Sequence, residues 1–421
     1  LQREARPENF PATYALLRLW RDAGGASTEG RMEAERRSLI DLISQPSALN
    51  LVRTYLLQNR LKREARSLNV DLPATVHVRG SDGVATGVAG LLALHGRGVV
   101  VHAADDGTLA SLREQADALF RARLGDDEPV RAAQERLVIR SDDEGLESAG
   151  LVIETGPDDP QARSAALADL ETRVPAECII AATTVTCLVE SLASGMTQPQ
   201  RLVGVHFFPP VERMPLVEVV VGQGTGEAAV QTGQALVAAM DKLPIRVAST
   251  PGFLVNRMQL PYILEGAKRY ERARREIIDT AALRFGMPIG PLELADSLGL
   301  DVCKELAEKL DYPVPEPLGD LVAAGHLGQW HGRGFHDWKR GRRVTASVPP
   351  GEHMFEALAR ELIGPLVTEA ARCRDEGVAA DADLVDTAAL FGAGFPAYTG
   401  GPLTFLRERG WGDDEPAQQA R

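Results

Sequence analysis

His206 and Glu218 are the residues of this chain best suited to proton transfer. They lie in the string HFFPPVERMPLVEVVVG at 206–222, in which a proline turn separates two apolar runs. If these runs are strands folded back on each other, the two side chains meet. A histidine held by a carboxylate is a tuned general base near pH 7, because the carboxylate fixes the tautomer and stabilises the imidazolium. A lone histidine at the end of a buried strand is otherwise usually a satisfied core residue.

Short apolar strands alternate with helical stretches between residues 71 and 250. TVHVRG is followed by the small-residue stretch SDGVATGVAGLLALHGRG and then by VVVHAADDG. Further strand candidates are RLVIR, AGLVIET, CIIAA, LVGVHFF, LVEVVVG and PIRVAST. The alternation predicts a parallel, doubly wound α/β sheet of Rossmann type. Its first strand–turn–helix–strand unit has the length of a nucleotide-binding βαβ unit.

Both ends of the chain are predicted to be helical. Residues 1–70 carry apolar residues at helical spacing, and Ser47 after Pro46 is a candidate N-cap. In residues 251–421 the pentapeptide DTAAL recurs at 279–283 and 386–390, and GPL trails both copies. This recurrence predicts an all-α domain of two related helical repeats, at about 251–340 and 354–412. The polar stretch at 339–353 is interpreted as the linker between them.

Composition excludes several classes of protein. A chain of 421 residues is too long for one core, and its net charge of −13 disfavours nucleic acid. Apolar runs are too short for a membrane span, and no secretory signal opens the chain. The chain begins at Leu1 without a methionine, so we expect residues upstream. The spacing of the cysteines argues against a metal site or disulfides and favours a reducing cytoplasm; they are Cys178, Cys187, Cys303 and Cys373.

Several longer strings resemble the L-3-hydroxyacyl-CoA dehydrogenase family. HFFPP…LVE resembles the family's HFFNP…LVE, and PGFLVNRMQLPY at 251–262 resembles PGFxxNRxxxPY. FGMPIGPLELADSLGLD at 285–301 and GRGFHDW at 332–338, which looks like GxGFYxY, extend the resemblance over about residues 75–410. It implies a Rossmann NAD-binding domain at 71–250 and a helical domain at 251–421.

The resemblance also implies an activity. The family oxidises L-3-hydroxyacyl-CoA to 3-ketoacyl-CoA with NAD in fatty-acid β-oxidation. By residue match, His206 is the base, Glu218 orients it, and Asn256 contacts the substrate oxygen. Asn256 can alternatively cap the first helix of the second domain. Residues 1–70 resemble the segment that follows the hydratase domain in multifunctional fatty-acid oxidation proteins, and family members occur as homodimers or in multienzyme complexes.

The loop expected to hold the NAD pyrophosphate departs from the family pattern. GSDGVATGVA stands where the family has GxGxxGxGIA. Gly80 is retained, but Asp82 replaces the second glycine, next to Gly83, and Ala85 replaces the third. The second glycine lets the backbone approach the pyrophosphate, whereas an aspartate adds a side chain and a negative charge. We therefore expect weak NAD binding.

The remaining cofactor contacts are changed as well. The acid that binds the adenosine ribose is replaced by Ala103. Asp105 and Asp106 can substitute only if the turn shifts, and a helix N-cap is the preferred interpretation of that pair. No basic residue follows the second strand, so NADP is not favoured. The string VIETGPDDPQAR stands where the family has VIEAxxExxxxK and contains Glu154, Asp158 and Arg163.

The substrate side departs from the family too. AATTVTCL at 181–188 stands for ASNTSSL, so Thr183 replaces an asparagine and Val185 replaces the serine that would bond the substrate oxygen. Thr184 or Thr186 can compensate if the loop rotates. Pro209 replaces the asparagine of HFFNP. Two hypotheses follow: a working NAD-dependent dehydrogenase, or a catalytically degenerate relative that serves as an acyl-CoA-binding or assembly module.

Overall fold

The computed structural model describes residues 9–22, 25–103, 106–156, 159–344 and 352–409. The chain starts with three helices: α1 (Pro11–Asp22), α2 (Thr28–Ile43) and α3 (Pro46–Arg66). The helical prediction for this segment is confirmed, but the N-cap prediction is wrong. Helix α3 begins at Pro46 with Gln45 at the cap position, and Ser47 lies inside the helix. Proline is favourable there because the first helical N–H has no partner in any case.

An eight-stranded sheet with helices on both faces follows the N-terminal helices. Its elements in chain order are β1 (Thr75–Arg79), α4 (Gly83–Leu94), β2 (Gly98–His102), α5 (Asp106–Leu124), α6 (Asp127–Arg136), β3 (Leu137–Arg140), β4 (Leu151–Glu154), α7 (Pro160–Arg173), β5 (Ile179–Thr183), α8 (Val189–Ala193), β6 (Leu202–Phe207), β7 (Leu216–Val221), α9 (Glu227–Ala239) and β8 (Leu243–Ala248).

The strand order is β3-β2-β1-β4-β5-β6-β7-β8. Neighbouring strands are parallel except β6 and β7, which are antiparallel. The Rossmann prediction is confirmed, with the refinement that β7 and β8 run against the other six. Helices α4, α5 and α9 contribute to the core on one face of the sheet. The core on the other face continues into the C-terminal helices without interruption.

The C-terminal region is helical, as predicted. It comprises α10 (Val255–Arg269), α11 (Arg275–Phe285), α12 (Pro291–Leu298), α13 (Leu300–Lys309), α14 (Glu316–Ala323), β9 (Trp338–Lys339), β10 (Arg342–Arg343), α15 (Glu352–Asp375), α16 (Ala382–Phe391) and α17 (Pro402–Arg409). At the start of the stretch predicted as the linker, 339–353, β9 and β10 form a small antiparallel hairpin. Residues 345–351 lie outside the described part.

The aspartate of DTAAL makes the same contact in both repeats. Asp279 accepts the backbone N–H of Leu292 at 3.0 Å, and Asp386 accepts that of Leu403 at 2.7 Å. In each repeat the glycine before the proline packs so tightly on the aspartate that a Cβ would lie within 2.5 Å of it. A buried carboxylate thus caps the helix that begins with GPL. This shared contact explains why the two strings recur together.

Helix α3 completes the second repeat. Arg53 donates to Asp383 at 2.7 Å and to the buried Asp386 at 3.0 Å. In the first repeat, Arg343 of the hairpin donates to Asp279 at 2.9 Å. Arg53 of the N-terminal segment is therefore the cationic partner of the DTAAL aspartate in the second repeat, as Arg343 of the hairpin is in the first. Within the described residues, no helix is long and apolar enough to cross a membrane.

Candidate active site

The antiparallel register of β6 and β7 places His206 directly opposite Glu218. The Nδ1 atom of His206 lies 2.6 Å from Oε2 of Glu218, and the two side chains are 3% and 0% exposed. An ionised carboxylate only accepts, so Nδ1–H of the imidazole donates to it. Nε2 then carries the lone pair of the neutral ring, which is the atom that can take a proton. The expected meeting of the two side chains is found.

The second oxygen of Glu218 reaches the helical region. Its Oε1 accepts the backbone N–H groups of Leu254 at 3.0 Å and Val255 at 2.9 Å, where α10 begins. The chain arrives there through a tight turn in which Gly252 and Phe253 have φ of +72° and +52°. A helix N-terminus favours a negative charge, so the buried carboxylate is compensated by three donors and a dipole. Sequence reasoning missed this contact, and the GF dipeptide was its only signal.

Two phenylalanine rings enclose His206. The ring of Phe208 lies 4.4 Å from the imidazole at 60°, and that of Phe253 lies 5.4 Å away at 55°. Both rings are buried, which keeps water from the hydrogen bond between His206 and Glu218. A small pocket of about 60 Å³ opens at the histidine. Its lining consists of Val84, Gly156, Thr183, Thr184, Val185, His206 and Phe207.

The structure therefore brings three of the predicted site residues together: His206, Thr183 and Val185 line one pocket. Val185 is 37% exposed and offers only methyl groups. The hydroxyl of Thr184 accepts the backbone N–H of Cys187 at 2.9 Å, so it is engaged within its own loop. Thr186 is not among the residues that line this pocket. Thr184, one of the two threonines expected to compensate for the missing serine, does line the pocket.

Asn256 is the second residue of α10 and is 4% exposed. The cap position of α10 is Leu254, and the first N–H groups of the helix are bound by Glu218, so the alternative interpretation of Asn256 as the cap is wrong. Its Oδ1 is buried and has no hydrogen-bond partner among the described residues. Leaving a buried acceptor unpaired costs about 1–3 kcal/mol, which makes such an atom a candidate ligand contact. Asn256 does not line the pocket at His206.

The first turn after β1 has the backbone of a dinucleotide loop. Gly80 has a φ of +144°, and a Cβ there would lie 1.9 Å from Oγ1 of Thr155, so only glycine fits. That Oγ1 atom is itself buried without a hydrogen-bond partner in the described chain. Gly83 begins α4 at a point where a Cβ would meet open space, whereas Ala85 is buried. The loop thus fits the tight turn that a dinucleotide needs.

Asp82 occupies the end of α4 at which a phosphate would bind. Its carboxylate accepts the backbone N–H of Ala85 at 2.7 Å, so it is the N-cap of the helix. The side chain is exposed. A helix N-terminus is a ready-made anion site, and here a carboxylate of the chain already uses one of its donors.

The other predicted cofactor residues lie at the ends of two strands. Ala103 follows β2, is 5% exposed and presents no acid. Asp105 and the side chain of Asp106 lie outside the described residues, as does Asp158. Glu154, at the end of β4, forms a buried ion pair with Arg163 of α7. Burial raises the pKa of Glu154, and Arg163 offsets part of that effect.

Comparison with known proteins decides the family. Residues 75–250 match the NAD binding domain of 3-hydroxyacyl-CoA dehydrogenase, and residues 252–338 match its C-terminal domain. The chain belongs to the 3-hydroxyacyl-CoA dehydrogenase family. It resembles (S)-3-hydroxybutyryl-CoA dehydrogenase of Ralstonia eutropha at 30% identity, over 63% of this chain and 99% of that one, with a TM-score of 0.59. For 3-hydroxybutyryl-CoA dehydrogenase of Escherichia coli K12 the identity is 25%, over 80% and 92%, with a TM-score of 0.69.

A longer relative matches nearly the whole of this chain. The fatty acid oxidation complex subunit alpha of Pseudomonas aeruginosa is 29% identical in an alignment 433 residues long that covers 94% of this chain. The chain spans 60% of the length of that relative. The resemblance noted from the sequence motifs is confirmed, and the matched N-terminal domain is an NAD-binding one.

Proposed function

We propose that this chain oxidises L-3-hydroxyacyl-CoA to 3-ketoacyl-CoA with NAD, as a step of fatty-acid β-oxidation. The observation that carries the proposal is the buried pair of His206 and Glu218, 2.6 Å apart, of which His206 lines a small pocket. Nδ1–H of His206 donates to the carboxylate of Glu218, so Nε2 of His206 is the basic nitrogen. Such a pair suits removal of a hydroxyl proton near neutral pH.

In the proposed reaction, Nε2 of His206 takes the hydroxyl proton of the substrate. Glu218 stabilises the imidazolium that forms, because its carboxylate already faces Nδ1–H. NAD, held by the turn after β1, would supply the acceptor for the hydride from the carbon that bears this hydroxyl group. We assign Asn256 and Thr183 to orienting the substrate oxygen, supported by the unpaired Oδ1 atom of Asn256 and by the place of Thr183 in the pocket lining.

We assign the cofactor to the turn after β1 and expect it to bind weakly. Gly80, Gly83 and Ala85 are proposed to form the loop beneath the pyrophosphate, with Ala103 at the ribose position and Glu154 at the end of β4. The exposed carboxylate of Asp82, which caps α4, supports weak binding because it lies where a phosphate is drawn to the helix. Loss of the ribose acid removes a further hydrogen bond.

The carboxylate of Asp82 at the start of α4 also supports a second candidate function. A chain whose phosphate site is filled by its own carboxylate can retain acyl-CoA binding without hydride transfer. In that case the protein serves as an acyl-CoA-binding or assembly module. Val185, which cannot donate to a substrate oxygen, is consistent with this alternative.

We further propose three parts: a helical segment at 1–70, the Rossmann domain at 71–250 and the helical domain at 251–421. Helices α1 and α2 contain no buried residue. Large apolar side chains are exposed on them, with Trp20 at 81%, Leu16 at 67% and Met32 at 66%. A surface of this kind usually marks contact with another polypeptide. We propose that a second copy, or a subunit of a multienzyme complex, covers it.

The test combines NADH titration with reduction of acetoacetyl-CoA. We expect NADH to bind weakly and turnover to be measurable. His206→Gln should lower kcat by a factor of about 10²–10⁴, the usual contribution of a general base. Glu218→Gln should lower kcat while leaving the dissociation constant for NADH nearly unchanged, since Glu218 faces the imidazole.

Three results separate the candidates. Tight NADH binding with fast turnover would contradict the weak-binding part of the proposal. Absence of NADH binding at millimolar concentration, together with acyl-CoA binding, would favour the module over the enzyme. Turnover that survives His206→Gln would show that another group removes the proton. Thermal unfolding of each variant serves as the folding control.

A further inference from the structure

Two histidines that the proposed reaction does not use form a buried pair on β1 and β2. Nδ1 of His77 lies 3.0 Å from Nε2 of His102, and the rings are nearly parallel, with centroids 5.3 Å apart. The two residues are only 6% and 5% exposed. Nδ1 of His102 lies 2.7 Å from the backbone carbonyl oxygen of Asp142. The pair therefore joins two strands to the loop at 141–150 that follows β3.

These distances determine the tautomers of the neutral pair. A carbonyl oxygen only accepts, so Nδ1 of His102 carries a hydrogen and donates it to Asp142. Nε2 of His102 is then the acceptor, and Nδ1–H of His77 is the donor to it. Nε2 of His77 is left with a lone pair. A proton on Nε2 of His102 would set two N–H groups against each other, so it is incompatible with this arrangement.

The pair lies where a dinucleotide fold receives the adenosine. His102 is the residue before Ala103, the position of the missing ribose acid. The backbone N–H of Ala103 donates to the carbonyl of Arg140 at 2.9 Å, and that of Gly80 donates to the carbonyl of His102 at 3.1 Å. Ligands of such sheets bind outside the carboxyl ends of the strands. The loop tied down by His102 starts at the carboxyl end of β3, which is parallel to β2, and so starts at this edge of the sheet.

We propose that the His77–His102 pair positions the loop at 141–150 on the adenosine side of the cofactor site, and that proton uptake by His77 favours release of this loop. The inference rests on the proposed use of NAD. It makes His77 and His102 positioning residues, because they act through the loop and not on the reacting atoms. In this chain a hydrogen bond between strand and loop takes over part of the ordering that the ribose acid would provide.

The charged groups around the pair are largely matched with one another. Asp142 accepts from Arg140 at 2.7 Å, and Asp143 accepts from Arg173 at 2.6 Å. Glu147 accepts the backbone N–H of Gly145 at 3.0 Å, and Gly145 packs against the ring of His77. The charged groups that these contacts link around the pair, from β1, β3, α7 and the loop, are Arg79, Arg140, Asp142, Asp143, Glu144, Glu147, Asp169 and Arg173.

The direction of the pH effect follows from burial. Burial lowers the pKa of His77, and the neighbouring His102 lowers it further, while Glu147 acts in the opposite direction. A released, solvent-exposed histidine binds a proton with an ordinary pKa near 6.5. The contribution of His77 to the stability of the ordered loop is therefore fully present above about pH 6.5. As the pH falls below that value, the equilibrium constant between ordered and released loop decreases by up to about tenfold per pH unit.

The experiment is an NADH titration of the full chain at about pH 8 and about pH 5.5, on either side of the ordinary histidine pKa. His77→Asn retains an amide donor near the Nδ1 position but cannot be protonated. His102→Phe removes the hydrogen bond to Asp142. His95→Gln is the matched control, since it removes an exposed histidine at the end of α4 that lies opposite to the cofactor turn.

We expect the wild type and His95→Gln to lose NADH affinity at the acid pH, and His77→Asn to lose less. His102→Phe should bind about two- to tenfold more weakly at both pH values, the range that one hydrogen bond contributes. Equal affinity of His102→Phe and the wild type at pH 8 would overturn the proposal. So would an unchanged pH dependence in His77→Asn.

Amide hydrogen exchange of residues 143–149 separates this inference from the proposed function. If no variant binds NADH, the proposed cofactor fails, but the pair still predicts faster exchange of these amides in His102→Phe and, for the wild type, at acid pH after correction for the intrinsic rate. Unchanged exchange in His102→Phe would refute the positioning role. Faster exchange without an effect on NADH affinity would refute the link to the cofactor site.

Discussion

Replacing Asp82 should strengthen NADH binding. The Asp82 carboxylate caps α4, 2.7 Å from the backbone nitrogen of Ala85, so a phosphate at the same helix end would come within about 5 Å of it. Two unit charges at that distance repel by roughly 1 kcal/mol in water and about 3 kcal/mol at an effective dielectric constant near 20. Because Asp82 is exposed, the lower figure applies. Removing the charge should therefore raise the affinity about fivefold.

Two substitutions separate the effect of the charge on NADH affinity from the effect of the occupied N–H group. Asp82→Asn removes the charge and retains a capping oxygen, whereas Asp82→Gly also frees the N–H of Ala85 for the phosphate. Glycine is nearly as good a cap as aspartate, so the helix should lose only a few tenths of a kcal/mol. We expect a gain of about fivefold for Asn and a larger gain, about ten- to twentyfold, for Gly.

The assay is fluorescence titration with NADH at low and moderate salt. Asp126→Asn, at the turn between α5 and α6, provides a control of the same charge change. The gain from Asp82→Asn should shrink as salt rises, because screening removes most of the repulsion between exposed charges. Unchanged affinity in both Asp82 variants, or an equal gain from Asp126→Asn, would refute the reasoning.

Three further changes have defined outcomes. Arg53→Met should lower the free energy of unfolding in urea by about 1–3 kcal/mol, because the buried Asp386 loses its cation but retains its backbone donors; a loss below about 0.5 kcal/mol would contradict this. Burial raises the pKa of Cys303 and Cys373 to about 12, so neither thiol should react with an alkylating reagent at pH 8 unless urea is added. Burial lowers the pKa of Lys242 to about 8; the stability of the wild type should therefore rise relative to Lys242→Met as the pH increases from about 8 to 10.5.

Much of the site could be predicted because it depends on local pattern. Two apolar runs around a proline turn predicted the hairpin, and the hairpin alone places His206 opposite Glu218. Gly80 was recognisable as the retained glycine of the loop pattern, and the physical reason is that the backbone there leaves no room for a Cβ. The recurrence of DTAAL and GPL predicted the two repeats, and the capping contact of Asp279 gives the physical reason.

What the sequence did not predict depends on contacts between distant segments. The bond from Glu218 to the start of α10 joins residues 36 apart through a turn of unusual backbone geometry. The pair of His77 and His102 is a diagonal contact, which follows from strand register and not from periodicity. The role of Arg53 in the second repeat requires a helix from the other end of the chain. In each case propensity determines the element, and tertiary packing determines its partner.

The position of Glu218 makes the proposed proton transfer depend on both halves of the molecule. Its side chain is fully buried, so its charge is tolerated only because Leu254 and Val255 donate to one oxygen while His206 donates to the other. A shift of α10 would leave the carboxylate short of donors and would disturb the hydrogen bond that orients His206. The turn at Gly252, where a Cβ would lie 3.2 Å from the backbone nitrogen of Arg257, thus helps to hold in place the partner of a histidine on another element.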